Sequence, residues 1–393
     1  MNLLVFTTLW PNAEQPDFSP FVWQRVSALA AAGVSVRVVA PVPWFPRRLQ
    51  GAPLPARWLR AARVPDCEEA AGLETWHPRH PVTPRIGMRF YSRWMARAVE
   101  PLLRRLHAER PIDLIDAHYV YPDGHAAVLA ARRLGLPVTI TARGSDVHQF
   151  SEMAAIRPLI REALDAADGV IAVSGALRRR MVELGIPEEK IAVIRNGIDG
   201  AIFAPRDRAS ARRRIGVPAG RRMLLSVGHL VPVKGFDRLI DAMALVDARD
   251  LALYIVGEGP ERPQLAARIR ARGLDDRVFL PGARSHAALA DWYSAADLFC
   301  LASHREGCPN VILEAMACGA PVLAADVGGI AEILPADCGR VLAISSPDLL
   351  AAAITRALDE SRDRAAIARR AAARAWTQVA AEVLEYYSRR GLR

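Results

Sequence analysis

Short runs of β-branched and aliphatic residues alternate with helix-like stretches along most of this 393-residue chain. In a parallel sheet each strand is followed by a helix that carries the chain back to the starting edge, so this rhythm predicts α/β units. The first series of predicted strands is NLLVFTT, VSVRVVAP, DLIDAH, PVTITA, GVIAVS and KIAVIRN, with helices predicted over residues 21–32, 124–134 and 151–167. This part of the chain therefore predicts a doubly wound, Rossmann-like domain.

The rhythm then restarts with the strands RMLLSVG, LALYIVG, RVFLPG, DLFCLA and APVLAAD, and with helices predicted over residues 236–246, 261–272 and 310–318. Between the two series, residues 195–220 are rich in glycine, proline and charge, which is typical of a domain boundary. Residues 365–390 predict one continuous helix. We expect an α/β protein with domains over residues 1–200 and 201–370, and a C-terminal helix over 371–393 that packs back on the first domain.

The composition is that of a globular protein, since 51% of the residues are apolar. No uncharged apolar run approaches the roughly 18 residues of a membrane-spanning helix. The start, MNLLVFTTLWP, lacks the positive segment and the small-residue cleavage site of a signal peptide, so it predicts a first buried strand.

The cysteines are odd in number and lack the paired spacing of metal sites, which favours a reduced, cytoplasmic protein. They are Cys67, Cys300, Cys308, Cys318 and Cys338. Cys308 lies beside an acidic turn and is interpreted as a small filler rather than as a nucleophile.

Arginine dominates the positive charge. The chain has a formal net charge of +10 and 52 lysines and arginines, of which only Lys190 and Lys234 are lysines. A general pull toward arginine would explain this excess. A lysine that persists against such a pull indicates a position where the chemistry of an ammonium group is needed.

The segment from Pro41 to Arg110 carries much of the excess positive charge. Its arginines alternate with aromatic residues in WFPRR, RWLR and RFYSRWMAR. This pattern is typical of a surface that meets anionic headgroups or an anionic acceptor, and equally of a solvated face with an arginine bias. No helix-turn-helix, zinc-finger or RNA-recognition motif is present, so we expect no nucleic-acid partner.

Two acids mark the predicted ligand site, because loops that follow parallel strands bind ligands. Glu306 and Glu314 flank a strand–loop–helix segment whose helix is predicted to begin near Pro309, and Glu314 shares a helix face with Asn310. Carboxylates repel phosphate but accept hydrogen bonds from hydroxyl groups, while a helix N-terminus attracts an anion. A nucleotide sugar has hydroxyls at both ends and a diphosphate between them. The alternatives are a solvated loop acid at Glu306 and a helix-face charge at Glu314.

Lys234 supplies the cation that a diphosphate needs. It follows a buried strand and precedes Gly235, which permits close backbone approach. The alternative is a solvated lysine near a helix cap. A second glycine turn contains Gly257 and Gly259, but it does not complete the dinucleotide-binding G-x-G-x-x-G pattern.

Taken together, VGHLVPVKGFDRLI, VGEGPER and REGCPNVILEAMACGAPVLAADVGGIAEIL resemble the C-terminal half of retaining glycosyltransferases of the group 1, family 4 type. The resemblance rests on two glutamates separated by seven residues. The N-terminal motifs TTLWPNAEQPDFSPFVWQRVSAL, DAHYVYPDGHAAVLAARRLGLPVTITARGSDV and RNGID are similar to members acting in exopolysaccharide, teichuronic acid or lipid-linked oligosaccharide assembly.

This resemblance implies a glycosyltransferase-B fold, in which two Rossmann-like domains face a cleft, with the acceptor on the N-terminal side and the donor on the C-terminal side. It implies catalytic roles for His118, Lys234 and Glu306. Glu314 matches the ribose-binding acid and His118 an orienting histidine near the reacting sugar. The implied donor-binding residues are His229, Lys234, Gly257, Ala283, Arg284, Glu306, Gly307, Asn310, Val311 and Glu314.

The chain departs from the family pattern at two places. His229 stands where an arginine is usual, and Arg143 is a candidate to compensate for it. Ser19 and Pro20 replace the customary paired glycines near the amino end. Arg143, Asp146 and Ser19 are therefore assigned to the acceptor or to phosphate.

The resemblance further implies retention of configuration, with the leaving diphosphate taking the acceptor proton. A UDP- or GDP-sugar is the expected co-substrate, and a glycan or lipid-linked molecule is the expected acceptor. No D-x-D pair occurs, so no metal is expected. A sugar-nucleotide epimerase, a glycan phosphorylase and a non-catalytic subunit that binds anionic polymer are the alternative functions.

Overall fold

A computed structural model describes residues 1–16, 18–44, 56–83, 87–344 and 346–392. The chain divides into two compact units, one formed by Met1–Asn196 together with Trp376–Arg393 and the other by Gly197–Ala375. The chain thus leaves the first unit after Asn196 and re-enters it at Trp376. Residues 45–55, which include most of WFPRR, lie outside the described residues.

In its described part the first unit contains one eight-stranded sheet with the order β10-β9-β8-β7-β1-β2-β5-β4, and a short parallel β3–β6 pair. All neighbours in the large sheet are parallel except β4 and β5. The central strands are buried on both faces, as expected where helices cover a parallel sheet. The strands are β1 (Asn2–Phe6), β2 (Ser35–Val39), β3 (Val42–Pro43), β4 (Cys67–Ala70), β5 (Leu73–Trp76), β6 (Arg79–His80), β7 (Leu114–His118), β8 (Val138–Ala142), β9 (Gly169–Ala172) and β10 (Ile191–Val193).

The α-helices in the Met1–Asn196 part of this unit are α1 (Pro20–Ala31), α2 (Ala56–Arg63), α3 (Tyr91–Glu109), α4 (His125–Ala131), α5 (Ser145–His148), α6 (Arg157–Ala166) and α7 (Gly175–Glu183). The prediction of one helix over residues 151–167 is wrong in its first third, because α6 begins only at Arg157. Pro158 lies in the first turn of α6. Proline is tolerated there, because the N–H groups of a first turn have no acceptor within the helix. Residues 150–152 instead form a separate turn.

The second unit has a six-stranded parallel sheet in the described residues, with the order β13-β12-β11-β14-β15-β16. Its strands are β11 (Arg222–Val227), β12 (Leu251–Val256), β13 (Val278–Gly282), β14 (Leu298–Leu301), β15 (Val322–Ala325) and β16 (Gly339–Leu342). The chain winds outward in one direction from β11 to β13 and in the other from β14 to β16. The strand order therefore reverses between β11 and β14, which is the usual ligand-binding position of a doubly wound sheet.

Eight helices cover this sheet in the described part: α8 (Arg208–Ile215), α9 (Phe236–Leu245), α10 (Arg262–Ala271), α11 (His286–Ala295), α12 (Asn310–Ala317), α13 (Ile330–Ile333), α14 (Pro347–Asp359) and α15 (Arg364–Ala372). The division between the units falls after Asn196, within the predicted boundary of residues 195–220, and α8 lies in the remainder of that stretch. Asp207 caps the start of α8 by accepting a hydrogen bond from the Ser210 N–H, and Gly216 ends it in the left-handed conformation. The surrounding prolines and charged residues are also typical of a linker, so these caps were not predicted from the sequence.

The helix predicted over residues 365–390 is broken in two. Helix α15 ends at Ala372 and α16 (Trp376–Arg389) begins four residues later, where the chain re-enters the first unit. At the break, the Ile198 N–H donates to the carbonyl of Arg374 at 2.9 Å, so the two crossing segments of chain are paired.

Helix α16 completes the core of the first unit. Its buried side chains include Trp376, Val379, Val383 and Tyr387, which pack in one cluster with apolar residues of β1, β2 and α1. The Tyr386 hydroxyl accepts a hydrogen bond from the Val170 N–H at 2.9 Å. The helix is thus joined to the sheet by both apolar and polar contacts.

Replacing Val383 by alanine should destabilise the first unit by about 2 kcal/mol, because truncation of this fully buried side chain leaves a cavity beneath α16. Hydrogen exchange of the β1 and β7 amides measures the opening free energy of this unit. The control is Glu385→Ala, since Glu385 is exposed on the same helix and forms a surface ion pair with Arg389. Equal protection in the two variants would contradict this role of α16.

Candidate active site

The loops that follow β11 and β14 are joined to each other through their backbones. The His304 N–H donates to the carbonyl of Val233 at 2.8 Å. Gly235 has φ +64°, and a Cβ added there would collide with the carbonyl oxygen of Ala302. Only glycine permits this conformation together with this approach. The approach brings Lys234 of the first loop beside the acidic turn of the second.

Lys234 and Glu306 form the ion pair at the centre of the site. The Lys234 ammonium lies 2.7 Å from Glu306 Oε1, and the Ser303 hydroxyl donates to the same oxygen at 2.6 Å. The side chains of Lys234 and Glu306 are 23% and 9% exposed. Glu306 Oε2 has no hydrogen-bond partner among the described residues. It can therefore accept a hydrogen bond from a ligand hydroxyl.

The loop after β15 fixes the backbone of the acidic turn. The Gly329 N–H donates to the carbonyl of Gly307 at 3.1 Å. Gly328 has φ +58°, and a Cβ there would collide with the carbonyl oxygen of Glu306. Three successive loops of the second sheet therefore determine where the Glu306 carboxylate lies.

Glu314 belongs to a separate, largely buried cluster on α12. Its Oε2 accepts a hydrogen bond from the Tyr293 hydroxyl at 2.8 Å, and its Oε1 lies 3.3 Å from His286 Nε2. Burial, reinforced by the negative charge of Glu314, raises the pKa of Tyr293 well above its ordinary value, so the phenol remains a donor. Phe203 packs edge-on against the His286 ring at 4.7 Å.

Helix α12 begins at Asn310, at the start of the helix predicted over residues 310–318. Pro309 has extended backbone angles (φ −74°, ψ 109°) and stands immediately before the helix rather than in its first turn. Asn310 and Val311 form that first turn, which contains no acidic residue. Cys308 and Val311 pack against the core cluster of this unit, which agrees with the interpretation of Cys308 as a filler. The backbone N–H groups of the first turn start within four residues of Glu306.

The other donor residues expected from sequence lie on neighbouring loops at the same edge of this sheet. Gly257 follows β12 and packs so closely on the carbonyl of Gly228 that a Cβ would collide with it. His229 is exposed in the loop after β11. Ala283 and Arg284 follow β13 and are exposed, and the Arg284 guanidinium lies over the Trp292 ring at 5.7 Å.

His118 ends β7 in the first unit and is completely buried. Its Nε2 lies 3.1 Å from Asp116 Oδ2, and the Arg143 guanidinium contacts its Nδ1. Burial lowers the pKa of His118 to about 4, and the charge of Arg143 adds to this effect against the opposing charge of Asp116. The imidazole is therefore neutral at pH 7, with Nε2 donating to Asp116 and Nδ1 accepting from Arg143.

This histidine is one member of a chain of buried polar groups. Arg25 lies 3.5 Å from Asp116 Oδ2 and donates to Thr141 Oγ1 at 2.9 Å. Burial opposes the ionisation of Asp116, but His118 and Arg25 hold its pKa below the ordinary value. Arg143 also donates to Asn196 Oδ1 at 3.1 Å. The chain of contacts thus runs from α1 to the last residue before the crossing between units.

Two further buried carboxylates hold the loops around His118. Asp146 accepts hydrogen bonds from the N–H groups of Val120, Arg143 and Gly144. Asp123 accepts from the Thr8 N–H at 2.6 Å and from the Thr8 hydroxyl at 2.9 Å. These contacts tie together the loops after β1, β7 and β8. The assignment of Asp146 to acceptor or phosphate stays a prediction.

Ser19 stands immediately before α1 in the left-handed conformation, with φ +49° and ψ 57°. This region favours glycine and costs other residues free energy. The position therefore keeps the backbone shape of the expected glycine although it carries a serine. Pro20 then occupies the first turn of the helix.

The structure brings Lys234, Ser303 and Glu306 into one cluster, places Glu314 in a second, and places His118 with Arg143 in the first unit. Sequence reasoning missed Ser303, Tyr293, His286, Gly328, Arg25 and Asp116. Asp116 lies two residues before His118 on the same strand, so strand periodicity could have paired them. No group of three or more metal-ligating side chains occurs among the described residues.

Comparison with solved structures defines the class of this protein. HepE from Anabaena, solved in complex with UDP, superposes with a TM-score of 0.74 at 21% identity, covering 99% of this chain and 100% of that chain. Together with the two doubly wound units and their loop sites, this likeness defines a protein of the glycosyltransferase-B fold.

Two family profiles and several relatives identify the family. The profile described as Glycosyl transferases group 1 matches residues 207–374, and Glycosyltransferase Family 4 matches residues 21–201. A D-inositol 3-phosphate glycosyltransferase of Thermobispora bispora is 34% identical over 306 residues, 70% of each chain. TuaC of Bacillus subtilis, a glycosyltransferase assigned to teichuronic acid biosynthesis, is 27% identical over 363 residues, 91% of this chain and 89% of that one. The chain belongs to the group 1, family 4 glycosyltransferases, which confirms the expected family.

Asp123 should make the stability of the first unit depend on pH. Burial raises the pKa of Asp123 from 3.8 to about 7, so the native state holds a proton that the unfolded chain releases. This stabilisation is complete below pH 4 and disappears as the pH rises through 7. Between pH 5 and pH 8, the free energy of unfolding of Asp123→Asn should rise relative to that of the original protein by on the order of 2 kcal/mol. Urea denaturation at the two pH values measures this change.

The two proteins differ only at residue 123, so the change in their stability difference between the two pH values reports on this position. The control is Asp165→Asn, an exposed acid on α6, which should show the pH dependence of the original protein. A constant difference between Asp123→Asn and the original protein at the two pH values would contradict the raised pKa.

Proposed function

We propose that this glycosyltransferase moves a sugar, with retention of configuration, from a nucleotide sugar to a lipid-linked or polysaccharide acceptor in cell-surface glycan biosynthesis. The observation that carries the proposal is the Lys234–Glu306 pair at the point where the strand order of the second sheet reverses. One cation for phosphate and one acid for hydroxyls lie side by side there.

The second unit offers a partner for each part of a nucleotide sugar. Lys234 and the N–H groups at the start of α12 can bind the diphosphate. Glu306 Oε2 can accept a hydrogen bond from the sugar, and the Glu314 carboxylate from the ribose. A donor diphosphate would compete with Glu306 for the Lys234 ammonium and so release the carboxylate toward the sugar. The UDP bound to HepE supports UDP as the nucleotide, and GDP is the alternative.

The reaction follows from electrostatic stabilisation of the leaving group. As the bond between sugar and diphosphate breaks, Lys234 and the N-terminal end of α12 stabilise the growing negative charge. The leaving diphosphate takes the acceptor proton, so attack occurs on the face that it leaves and configuration is retained. His118 is neutral and hydrogen-bonded on both ring nitrogens, which supports an orienting role rather than that of a general base. No metal is assigned to the reaction.

The exposed face of α3 supports peripheral binding of a cytoplasmic protein to the inner surface of a membrane. Arg93 and Arg97 are exposed one helical turn apart, and neither has an ion-pair partner among the described residues. Trp94 lies between them and stacks on Phe90 at 5.7 Å. In the part of the chain that the structure describes, no helix is long and apolar enough to cross a bilayer. Contact through this face would bring the enzyme to a lipid-linked acceptor.

Product analysis separates this function from its alternatives. Incubation with a nucleotide sugar should release nucleoside diphosphate only when an acceptor is present, and the product should keep the anomeric configuration by NMR. Interconversion of the sugars without release indicates an epimerase. Absence of nucleotide binding by calorimetry indicates a non-catalytic subunit.

Lys234→Ala should lower turnover roughly 100-fold or more, because it removes the main cation that faces the diphosphate. Release of nucleoside diphosphate measures the rate. The matched control is Lys190→Ala, which removes the only other lysine of the chain; Lys190 contacts the carbonyl of Asp165 in the first unit. Similar rates in the two variants would exclude the role proposed for Lys234.

The double change Arg93→Gln and Arg97→Gln should weaken binding to anionic vesicles roughly 30-fold, because each arginine near such a surface contributes about 1 kcal/mol. Vesicle co-sedimentation at low salt measures the affinity. The control removes the same charge from α15 with Arg369→Gln and Arg370→Gln, which are exposed in the other unit. Equal losses in the two double variants would mean that binding reflects net charge alone.

A further inference from the structure

The first unit contains a cavity of about 380 Å³ that none of the assigned site residues lines. The cavity lies beside β3 and β6, under the start of α3 and against α2. Thr8, after β1, and Pro122, after β7, also line it. It therefore reaches the edge of the sheet where the order reverses between β1 and β7, next to the turn that follows His118.

The walls of this cavity are mostly apolar. Val42, Val64, Val82, Tyr91 and Met95 come from four different segments of the chain and face the same space. Sugar and phosphate groups gain nothing from such walls, because apolar side chains offer them no hydrogen bonds. An aliphatic chain, in contrast, binds favourably there, because its apolar surface is transferred from water to apolar walls.

Two large apolar side chains are exposed in the segments that form this cavity. Phe18 lines it and is 36% exposed, and Trp44, which directly follows the lining residue Pro43, is 55% exposed. The Trp44 backbone is held in place, because its N–H donates to the carbonyl of His80 at 2.7 Å. Exposed apolar groups beside an apolar cavity mark a binding surface for an apolar ligand.

The charged groups of the lining leave one cation available. Glu14 is paired with Arg63 at 2.6 Å, and burial lowers the pKa of His80 to about 4, so this ring is neutral at pH 7. Arg60 on α2 is exposed and has no carboxylate within ion-pair distance among the described residues. A ligand that combines an apolar chain with a phosphate would match both the walls and Arg60.

We propose that this cavity binds the aliphatic stem of a lipid phosphate acceptor, with Arg60 on the phosphate. The inference rests on the proposed function and specifies its acceptor. It also separates this chain from the relatives named for inositol 3-phosphate, since a small polyhydroxylated phosphate would leave the apolar walls unused. The cavity adjoins α2 and α3, which belong to the basic and aromatic segment, so a lipid held at a membrane surface has a short path into it.

Calorimetry with butyl, hexyl and decyl phosphate, each below its micelle concentration and with UDP present in excess, tests the proposal. UDP occupies the donor site and so excludes binding of these phosphates to Lys234. We expect affinity to rise roughly fourfold per buried methylene until the cavity is filled. Affinity that does not depend on chain length, or inositol 3-phosphate binding as tightly as decyl phosphate, would overturn the proposal.

Two variants separate the cavity from the cation. Val82→Trp should fill the cavity and abolish the dependence on chain length, while Val182→Trp, at an exposed position on α7, should preserve it. Arg60→Gln should weaken all three ligands by a similar factor and leave the dependence on chain length unchanged. If Val82→Trp and Val182→Trp behave alike, the cavity is not the binding site.

The proposed function has its own separate measurement. Binding of UDP and its release from a nucleotide sugar depend on Lys234 in the second unit, whether or not the cavity binds lipid. Chain-length dependence without any sugar transfer would contradict the proposed function and leave the cavity assignment standing. Transfer to purely polar acceptors, with no chain-length dependence of phosphate binding, would contradict the cavity assignment and leave the proposed sugar transfer standing.

Discussion

The close approach of Gly235 to the carbonyl of Ala302 is the contact on which the catalytic edge of the second unit depends. It aligns two loops from strands on either side of the reversal in strand order, and so places an ammonium group against a carboxylate. That ion pair is largely shielded from water, where the partner of each charge matters more than at an open surface. The same carboxylate is fixed from behind by Gly328 of a third loop. Glycines without side chains thus determine where the charged side chains lie.

The first unit uses a different physical device. It surrounds His118 with charged groups, of which Arg25 and Asp116 are buried and Arg143 is partly buried. Asp116 compensates the charge of Arg25, and burial keeps the imidazole neutral, so its orientation is fixed by a donor on one side and an acceptor on the other. The rigidity of the histidine comes from this polar chain. The apolar cavity beside β3 and β6 lies only a turn away, which places opposite kinds of environment next to each other within one unit.

The fold class, the family and most strands followed from the sequence, because strand and helix periodicities are local properties of the chain. The helix caps at Asp207 and Gly216 were not predicted, because the prolines and charged residues around them also fit a linker. Lys234 and Glu306 could be named from motif and composition, but their contact depends on loops 72 residues apart in the chain. Tyr293 and Arg25 gave no local signal, because each acts through a partner distant in sequence. Ser303 lies only three residues before its partner Glu306, but nothing in the motif singled it out.

The return of the chain at Trp376 affects how the protein is made. The second unit is a continuous stretch, Gly197–Ala375, whereas the first needs α16 to cover apolar residues of β1 and α1. During synthesis on the ribosome, the amino-terminal strands therefore wait for their last covering helix until the whole second unit has emerged. The later-synthesised unit can complete its core first, and the exposed amino-terminal sheet is the part of the nascent chain that a chaperone would need to protect.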